Sequence, residues 1–445
     1  MIIQLPEKVK FIIDTLTEAG YEAYAVGGCV RDSILGRMPE DWDITTSASP
    51  QQVKMLFPRT VDTGIRHGTV TVLCDREGFE VTTYRIDGKY EDKRHPKEVI
   101  FTSDLIEDLR RRDFTINAMA YNEQDGLVDA FDGMGDLKRR QIRCVGNPAE
   151  RFMEDALRLM RAVRFAAQLG FAIEEETREM IPRLADNLAE ISAERIQTEL
   201  VKLLVSDHPE KMRTLYETGI TRVILPEFDK MMTTPQNNLH HCYNVGEHTI
   251  EALLHIRKDK VLRLTMLLHD VAKPVCRTQD EEGVYHFYGH PQAGAQMAKE
   301  ILQRLKFDND TIAKVTALIT WHDHRPLLEE ANIRHAIHQI GEENYPALFE
   351  VKLADTLAKN QYKRQEKLEY LAEYQRIYQE IMDKKQCLTL KELAVKGDDL
   401  IKLGMKPGKE LGAVLEWMLK HVLNVPEDNT KEKLLELLKT ARKPE

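Results

Sequence analysis

The chain has 445 residues, of which 42% are hydrophobic and 31% are charged, and its formal net charge is −10. At about 100–200 residues per domain, roughly two to four domains are expected, and the composition is typical of a soluble protein. No apolar run approaches the length of about 18 residues that a membrane helix needs, so no membrane partner is expected. The negative charge argues mildly against a nucleic-acid partner, although one basic face can lie on an acidic body.

The N-terminal segment MIIQLPEKVKFIIDTL predicts an amphipathic helix, because charged residues interrupt its apolar positions, and it lacks the pattern of a secretion signal. Six cysteines lie far apart without a CxxC pair. This spacing favours a reduced compartment, and we expect the protein to be cytoplasmic. None of these patterns indicates an oligomeric state.

The first third of the chain alternates strand and helix signals. Residues 23–26 predict a strand, GGCVRDSIL predicts a turn and a helix, and TVTVLC and FEVTTYRI predict two further strands. From about residue 148 the pattern is helical, and EDALRLMRAVRFAAQLG predicts a helix that ends at Gly170. An α/β segment followed by all-α segments is therefore expected, divided into residues 1–145, 146–235, 236–384 and 385–445.

Two aspartates lie where a strand is predicted to begin, in the stretch VGGCVRDSILGRMPEDWDI, which spans Val26–Ile44. Residues i and i+2 of a strand face the same side, so Asp41 and Asp43 should project together. Parallel carboxylates repel each other unless a cation lies between them, and Mg²⁺ prefers oxygen ligands. Glu80 on a later strand offers a third carboxylate. The alternative is a solvated acidic turn after Pro39.

The glycine turn in front of these aspartates suits a triphosphate. Gly27 and Gly28 have no side chain where the backbone must approach a ligand. The following helix would present unpaired N–H groups, and Arg31 in its first turn could add a charge-assisted contact. Together with the carboxylates, these features predict a two-metal site for phosphoryl transfer.

Four motifs in a fixed order resemble one enzyme family. GG-x-VRD followed by D-x-D resembles the polymerase-β nucleotidyltransferase superfamily. LRRRDFTINAMAY (Leu109–Tyr121) and EDALRLMRAVRF (Glu154–Phe165) resemble motifs of class II tRNA nucleotidyltransferases, the CCA-adding enzymes, and of bacterial poly(A) polymerases. The resemblance covers roughly residues 20–230. It implies a polymerase-β-like head with a mixed sheet, followed by a helical neck and body.

The chemistry of Asp155 and Arg158 suggests how such an enzyme selects a base. On one helix these residues would share a face. Cytosine and adenine present an amino donor beside a ring-nitrogen acceptor, which a carboxylate and a guanidinium match. Uracil and guanine would leave polar groups unpaired, at about 1–3 kcal/mol each. The alternative is a surface ion pair, but the resemblance implies that this pair replaces a nucleic-acid template.

The resemblance also implies roles for the remaining residues of the motifs. In RRDFTIN, arginines could hold the triphosphate and Asn117 could contact sugar or phosphate, while a solvated basic patch is the alternative. The expected catalytic residues are Asp41, Asp43 and Glu80, with Mg²⁺ on the two aspartates. The expected nucleotide-binding residues are Gly28, Arg31, Arg111, Arg112, Asp113, Asn117, Glu154, Asp155, Arg158, Arg161 and Arg164.

The polar segment Asp87–Leu109 contains Gly88 and Pro96 and predicts a mobile loop. In the family that the motifs resemble, such a loop accompanies the switch from adding C to adding the terminal A. Its length here favours addition of CCA over addition of CC alone.

A second set of polar residues is rich in histidine and lies between about residues 240 and 360. Nitrogen and oxygen ligands together suit a divalent transition metal better than Mg²⁺ alone, and a metal pair could polarise a phosphate. The order of the motifs resembles the HD phosphohydrolase superfamily and the HD segment of bacterial tRNA nucleotidyltransferases. His248 lies on the same helical face as His241 and is the alternative to it. The expected ligands are His241, His269, Asp270 and Asp355, with His290 and His322 for a second ion.

The resemblance predicts a tRNA nucleotidyltransferase that adds C, C and A from CTP and ATP, with residues 385–445 contacting tRNA. A poly(A) polymerase is the nearest alternative, although the net charge of −10 argues against its usual basic tail. An enzyme that adds only CC is the second. An HD-type phosphohydrolase whose N-terminal half only grips RNA, and a non-catalytic RNA-binding protein, complete the alternatives.

Overall fold

The computed structural model describes residues 2–87, 99–237 and 243–440. The chain forms two units, Met1–Asp229 and Lys230–Glu445. In the described ranges, no helix combines the length and the apolar character that crossing a bilayer requires. The cysteines there are free thiols, as their spacing predicts: Cys29, Cys74, Cys144, Cys276 and Cys387.

The first unit begins with a mixed sheet and its surrounding helices. The strands are β1 Ala23–Val26, β2 Ile44–Thr46, β3 Thr60–Gly64, β4 Thr69–Cys74, β5 Glu77–Thr83, β6 Arg85–Asp87, β7 Val99–Phe101, β8 Ala120–Asn122 and β9 Gly126–Val128. The helices are α1 Glu7–Glu18, α2 Gly28–Ile34, α3 Pro50–Leu56, α4 Leu105–Arg110 and α5 Gly133–Arg139. Seven strands form one sheet in the order β3-β4-β5-β2-β1-β8-β9, and β6 pairs with β7 separately.

One parallel pairing inside this sheet determines what lies next to the acidic motif. β2 and β5 run parallel, and Ile44 is opposite Val81, whereas β1 runs antiparallel to both β2 and β8. Asp43 and Glu80 directly precede these two paired residues, so the register brings them to neighbouring positions on adjacent strands. The sheet core beneath them is apolar, and Ile44 and Val81 are fully buried.

The elements predicted from the sequence are present in the head. The strand at residues 23–26, the turn and helix of GGCVRDSIL, and the two β-branched strands all form. The loop predicted over Asp87–Leu109 is wrong at its C-terminal end, because β7 and α4 form there, and Asp104 caps α4 by accepting the N–H of Ile106. Residues 88–98 of that segment lie outside the described residues.

The rest of the first unit is helical, as predicted. Two short strands, β10 Gln141–Ile142 and β11 Ala172–Ile173, pair in parallel. The helices are α6 Pro148–Glu154, α7 Leu157–Leu169, α8 Glu175–Leu184, α9 Ala193–Leu204, α10 Met212–Glu217, α11 Ile220–Ile224 and α12 Pro226–Met232. Helix α7 ends at Gly170 with a left-handed φ of 68°, the predicted stop. Most residues of α7 are buried, so it is the central helix of this part.

The prediction of a single helix through EDALRLMRAVRF is wrong, because the helix is interrupted at Asp155. This residue is extended, with φ −145° and ψ 104°, and it separates α6 from α7. Its side chain accepts the N–H of Leu157 at 3.1 Å, which competes with helical hydrogen bonding. Asp155 and Arg158 are therefore not positions i and i+3 of one helix.

The second unit is almost entirely helical. Its helices are α13 Val245–Leu254, α14 Lys260–Leu268, α15 Lys273–Cys276, α16 His290–Arg304, α17 Asn309–Trp321, α18 Glu330–Ile340, α19 Tyr345–Ala358, α20 Arg364–Asp383, α21 Gly397–Lys402, α22 Lys409–Asn424 and α23 Lys431–Thr440. One small hairpin joins β12 Thr278–Gln279 to β13 Tyr285–His286. Helices α13, α14, α17 and α19 pack on one another, and their ends carry the histidine-rich motifs.

Candidate functional site

The strand that was expected to contain the acidic motif begins at Ile44, one residue after the motif. Asp41 and Asp43 lie in extended chain directly before β2, and Trp42 between them is half-buried, not in the core as an inward-facing residue would be. Partial desolvation raises the pKa of Glu80, and the charges of Asp43 and Asp41 raise it further. Desolvation also raises the pKa of Asp43, which the charge of Arg112 opposes and that of Asp41 reinforces. The three carboxylates therefore act on one another electrostatically.

This carboxylate group has the donor type that Mg²⁺ prefers, because all its side-chain ligands are oxygen atoms. Among the described residues, however, Asp41, Asp43 and Glu80 do not bring their oxygens within 4.8 Å of one another as a set. Asp43 and Glu80 nevertheless lie at neighbouring positions of two adjacent central strands, because Ile44 is opposite Val81.

The glycine turn approaches an arginine of the next motif. Gly27 has φ 85° and donates its N–H to the carbonyl of Met119 at 3.1 Å. A Cβ on Gly27 would lie 3.0 Å from Nη1 of Arg112. Glycine is required here both for the left-handed backbone and for this close approach.

Arg31 connects the glycine motif to the RRDFTIN motif. Its Nη1 donates to Oδ1 of Asn117 at 2.6 Å, and its fork also holds the neighbouring Asp32. The guanidinium lies 5.1 Å from the ring centroid of Phe165 on α7. The head motifs and the first long helix of the neck thus meet at one side chain.

The arginines of RRDFTIN are anchored and do not form a solvated patch. Arg111 donates to the fully buried Asp108 at 2.9 Å, and Arg112 lies 3.6 Å from its second oxygen. Burial alone would raise the pKa of Asp108, but the charges of Arg111 and Arg112 hold it below its ordinary value. Nε of Arg112 is buried without a hydrogen-bond partner. Sequence reasoning missed Asp108, the anchor for both arginines.

Asp113 accepts hydrogen bonds within the protein, from Nε of Arg161 at 2.8 Å and from Asn117 at 3.2 Å. Arg164 pairs with the buried Glu199 of α9 and lies 3.7 Å from the ring centroid of Phe165. These residues form a buried ion-pair network behind the motifs. Glu199 was also missed, although a glutamate within the apolar stripe of ERIQTEL was a signal for it.

The expected template pair is held by partners on either side. Asp155 accepts from Arg195 of α9, with Nη2 to Oδ2 at 2.7 Å. Arg158 is buried and donates to Glu154 at 2.5 Å. The surface ion pair between Asp155 and Arg158 is therefore not formed. Sequence reasoning missed Arg195.

The second unit brings five of the six histidine-site candidates together. His269 and Asp270 follow α14, His290 begins α16, His322 follows α17, and Asp355 lies in α19. Nε2 of His269 lies 3.2 Å from Oδ2 of Asp270, and Nε2 of His290 lies 3.4 Å from its Oδ1. Two groups converge within 4.8 Å and share Asp270: His248, His269 and Asp270, and Asp270, His290 and His322.

The sequence offered His241 or His248 as a ligand, and the structure places His248 at the cluster. Its Nε2 lies 3.0 Å from Oδ1 of Asp355 and 3.7 Å from Oδ2 of Asp270. His241, the residue expected from the sequence, lies outside the described residues. The described ligand group therefore contains His248.

Three histidine rings are oriented by backbone carbonyls. Their Nδ1 atoms lie 2.7–2.8 Å from carbonyl oxygens of Met266, Phe287 and Ile319 for His269, His290 and His322, respectively. Because a carbonyl only accepts, each Nδ1 carries the proton and each Nε2 faces the cluster with its lone pair. This is the arrangement of metal-binding histidines. Burial lowers the pKa of His322 to about 3. For His269, burial also acts to lower the pKa, but the charge of Asp270 outweighs it and the pKa is raised.

Two atoms at the centre of this cluster lack the hydrogen bonds that burial demands. Nε2 of His269 and Oδ2 of Asp270 are buried without a hydrogen-bond partner, although Nζ of Lys273 lies 2.7 Å from that oxygen as an ion pair. Buried polar atoms are seldom left unsatisfied. A divalent cation with mixed nitrogen and oxygen ligands would satisfy both, so the residues fit a metal pair.

Three sequence families match successive parts of the chain. Residues 23–143 match the poly A polymerase head domain, and residues 170–232 match the probable RNA and SrmB-binding site of polymerase A. Residues 280–438 match the putative domain 2 of tRNA nucleotidyltransferase. The order agrees with the α/β head and the helical remainder described above.

The whole chain also resembles individual proteins. It is 39% identical over 415 residues to the CCA-adding enzyme of Levilactobacillus brevis, covering 92% of each chain. It is 37% identical to that of Lactobacillus delbrueckii subsp. bulgaricus, covering 96% of each. The Bacillus stearothermophilus CCA-adding enzyme in complex with CTP superposes with a TM-score of 0.71 at 30% identity, covering 98% of this chain and 99% of that one. The resemblance of the head and neck motifs is confirmed: the chain belongs to the CCA-adding enzymes, a family of tRNA nucleotidyltransferases.

Proposed function

We propose that this enzyme adds C, C and A to the 3′ end of tRNA, taking CTP and ATP and using no nucleic-acid template. The observation that carries the proposal is the separate anchoring of Asp155 by Arg195 and of Arg158 by Glu154. The carboxylate of Asp155 offers an acceptor and the guanidinium of Arg158 a donor, the two kinds of group that match the edges of cytosine and adenine. The printed names of the relatives support the same activity, and one solved relative, from Thermotoga maritima, is complexed with tRNA.

In this proposal Asp41, Asp43 and Glu80 hold Mg²⁺ where β2 begins beside β5. When bound, the ions lower the barrier to attack by the terminal ribose hydroxyl and neutralise charge on the triphosphate. Arg112 faces the glycine turn with a buried, unpaired Nε, and we assign it to the triphosphate. Asp113 positions Arg161 and Asn117 and does not itself meet phosphate, because its carboxylate would repel it.

The four-part division of the chain belongs to this proposal as well. Residues 1–145 would be the catalytic head, 146–235 the selecting neck, 236–384 the HD domain and 385–445 a tail for tRNA. A poly(A) polymerase and an enzyme that adds only CC would share the same head and neck, so product length must separate them.

The test is extension of tRNA that lacks its 3′ end, with each labelled nucleoside triphosphate supplied alone and in mixture. Three added residues, C, C and A, are expected, and a long A tail or arrest after CC would select an alternative. The double substitution Asp41→Asn and Asp43→Asn should abolish extension. Asp62→Asn, at an exposed position in the middle of β3, is the matched control and should extend at the normal rate.

We also propose that the second unit is an HD-type phosphohydrolase. The supporting observation is the cluster of His248, His269, Asp270, His290 and His322, with Asp355 beside it. A bound metal pair would polarise a phosphate ester, while Lys273 and Lys359 carry positive charge next to the two aspartates. Release of phosphate from phosphate esters should require an added transition metal and should vanish in His269→Ala. His335→Ala, on α18 and half-buried against Asn424 of α22, should retain it.

A further inference from the structure

One buried carboxylate connects three segments of the head. Asp108 of α4 is fully buried. Its Oδ1 accepts the Nε–H of Arg111 at 2.9 Å and the backbone N–H of Arg85, the first residue of β6, at 3.3 Å. Its Oδ2 accepts the hydroxyl of Thr45 in β2 at 3.1 Å and lies 3.6 Å from Nη2 of Arg112. Because it is fully buried, this carboxylate acts on its neighbours in the protein and not on a ligand.

Thr45 connects this carboxylate to the acidic motif. Thr45 is fully buried and follows Asp43 by two residues, in the strand that begins directly after that aspartate. Its hydroxyl lies 3.1 Å from Oδ2 of Asp108 and 3.3 Å from the carbonyl oxygen of Thr82, so the carboxylate is the nearer acceptor. Strand β2 is hydrogen-bonded on both sides, to β1 and to β5. The position of Asp108 relative to Asp43 is therefore set by a central strand of the sheet.

Arg112 lies between this anchor and the glycine turn. Its Nη2 is the atom near Asp108, whereas its Nη1 lies 3.0 Å from the position that a Cβ on Gly27 would take. The charge of Arg112 also opposes the rise in the pKa of Asp43, so the guanidinium acts on the acidic motif as well. A guanidinium presents its donors in a rigid fork. With one side of that fork at Asp108, the other side is oriented towards the turn that suits a triphosphate.

We propose that Asp108 is a positioning residue for nucleotide addition, which holds Arg111 and Arg112 at a fixed distance from the metal-binding aspartates. The two outer phosphates of the nucleotide, which leave together as pyrophosphate, would then meet Arg112 while the innermost phosphate lies at the metal. The proposal rests on the nucleotide addition and on the triphosphate role of Arg112 proposed above. Since CTP and ATP both carry these phosphates, Asp108 should affect the two nucleotides equally and should not contribute to base choice.

The first test measures which part of the nucleotide depends on Asp108. Labelled CTP is displaced from the full chain by inorganic pyrophosphate or by CMP, in equilibrium dialysis with Mg²⁺. In Asp108→Asn the dissociation constant of pyrophosphate should rise about tenfold, as expected when a charge-assisted hydrogen bond from an arginine is misplaced. That of CMP, which lacks the outer phosphates, should stay unchanged. In extension assays, KM should rise by the same factor for CTP and ATP, and the preference for CTP over UTP should be retained.

Two variants separate this role from a general loss of structure. Asp136→Asn removes another fully buried carboxylate of the head, which pairs with Arg139 and Arg143. It should lower the free energy of unfolding about as much as Asp108→Asn does, and it should leave pyrophosphate binding unchanged. Glu107→Gln, at the position before Asp108 in α4, removes a partner of Arg110 and should change neither quantity.

Thr45→Val keeps the test decisive if Asp108→Asn does not fold. It retains the charge of Asp108 and removes one hydroxyl, so pyrophosphate should bind about threefold more weakly and CMP equally well. In an Arg112→Gln background, Asp108→Asn should have little further effect on pyrophosphate binding, because it acts through that arginine. Equal weakening of pyrophosphate and CMP, or an undiminished effect of Asp108→Asn in the Arg112→Gln background, would overturn the proposal.

The displacement assay does not depend on which product the enzyme makes. Extension by residues other than C, C and A would refute the proposed function, and dialysis would still decide the role of Asp108. If Asp108→Asn and Thr45→Val bind pyrophosphate as tightly as the wild type, nucleotide addition stands and the positioning role of Asp108 fails.

Discussion

Arg195 on α9 donates to both carboxylate oxygens of Asp155, at 2.7 and 3.3 Å, and so fixes a side chain that the broken helix would leave mobile. On the other member of the pair, Glu154 holds the guanidinium of Arg158. Glu154 belongs to the same motif and lies four residues before Arg158, whereas Arg195 lies 40 residues after Asp155 and is not revealed by the motif. A base edge would therefore meet two groups whose directions are set before it arrives, which is how preorganised sites gain specificity.

Replacing Arg195 should damage base choice more than catalysis. In Arg195→Ala, Asp155 loses the contact that orients it, so UTP should be accepted about tenfold better relative to CTP, a change of about 1.4 kcal/mol. We expect KM for CTP to rise while kcat changes less, because Asp41, Asp43 and Glu80 are unchanged. Steady-state kinetics with each nucleotide measure both quantities.

Arg195→Lys is the matched variant for this positioning role, since a lysine restores charge but not the bidentate fork. It should recover part of the selectivity that Arg195→Ala loses. Arg222→Ala removes an exposed arginine that pairs with Asp186, and it should leave selectivity unchanged. Selectivity that is equal in all three variants would refute the role given to Arg195.

The motifs alone predicted the head well, because strand and glycine signals are local. The D-x-D pair, the β-branched strands and the Gly170 stop each depend on residues that are neighbours in sequence. The position of Glu80 beside Asp43 was harder to predict, since it depends on the parallel pairing of β2 with β5. The sequence suggested Glu80 as a third carboxylate, but it did not show that Glu80 lies beside Asp43.

The partners of the motif residues could not be predicted, because they come from distant segments. Asp108, Arg195 and Glu199 contact motif residues through the tertiary fold, and helical spacing does not reveal such contacts. The break at Asp155 was missed for a related reason. Its apolar neighbours keep helical spacing on both sides, and only the side-chain hydrogen bond to Leu157 shows the interruption.

The buried pair of Asp113 and Arg161 should make stability depend on pH. Burial alone would raise the pKa of Asp113, but the charges of Arg161 and Arg158 hold it well below its ordinary value. A carboxyl with a lowered folded-state pKa contributes stability above its unfolded value of about 3.9, and that contribution is lost as pH falls. Denaturant unfolding from neutral pH downward should therefore show the wild type converging on Asp113→Asn in acid. A constant difference between the two proteins would contradict this.

Glu199 should be important for stability, because it is the buried counter-charge of Arg164. Glu199→Gln leaves the arginine buried without its anion and should lower the free energy of unfolding by about 3–5 kcal/mol. Glu217→Gln removes a glutamate that forms an exposed pair with Arg178 and should cost at most about 1 kcal/mol. Urea unfolding of the three proteins tests this, and equal losses in the two variants would show that burial does not matter here.

Metal binding in the second unit should depend most on Asp270, because this carboxylate belongs to both ligand groups. In a background with Asp41→Asn and Asp43→Asn, which removes the ions of the head, Mn²⁺ or Zn²⁺ should bind the metal-stripped chain at two sites. Asp270→Asn should abolish both sites, whereas His290→Gln should leave one, since only the second group contains it. A ligand at 100 times its Kd stabilises the folded state by about 2.7 kcal/mol, so the thermal unfolding temperature should rise with metal and stay unchanged in Asp270→Asn. His335→Gln should behave like the parent. If Asp270→Asn still binds two ions, the proposal of a metal pair in this unit is wrong.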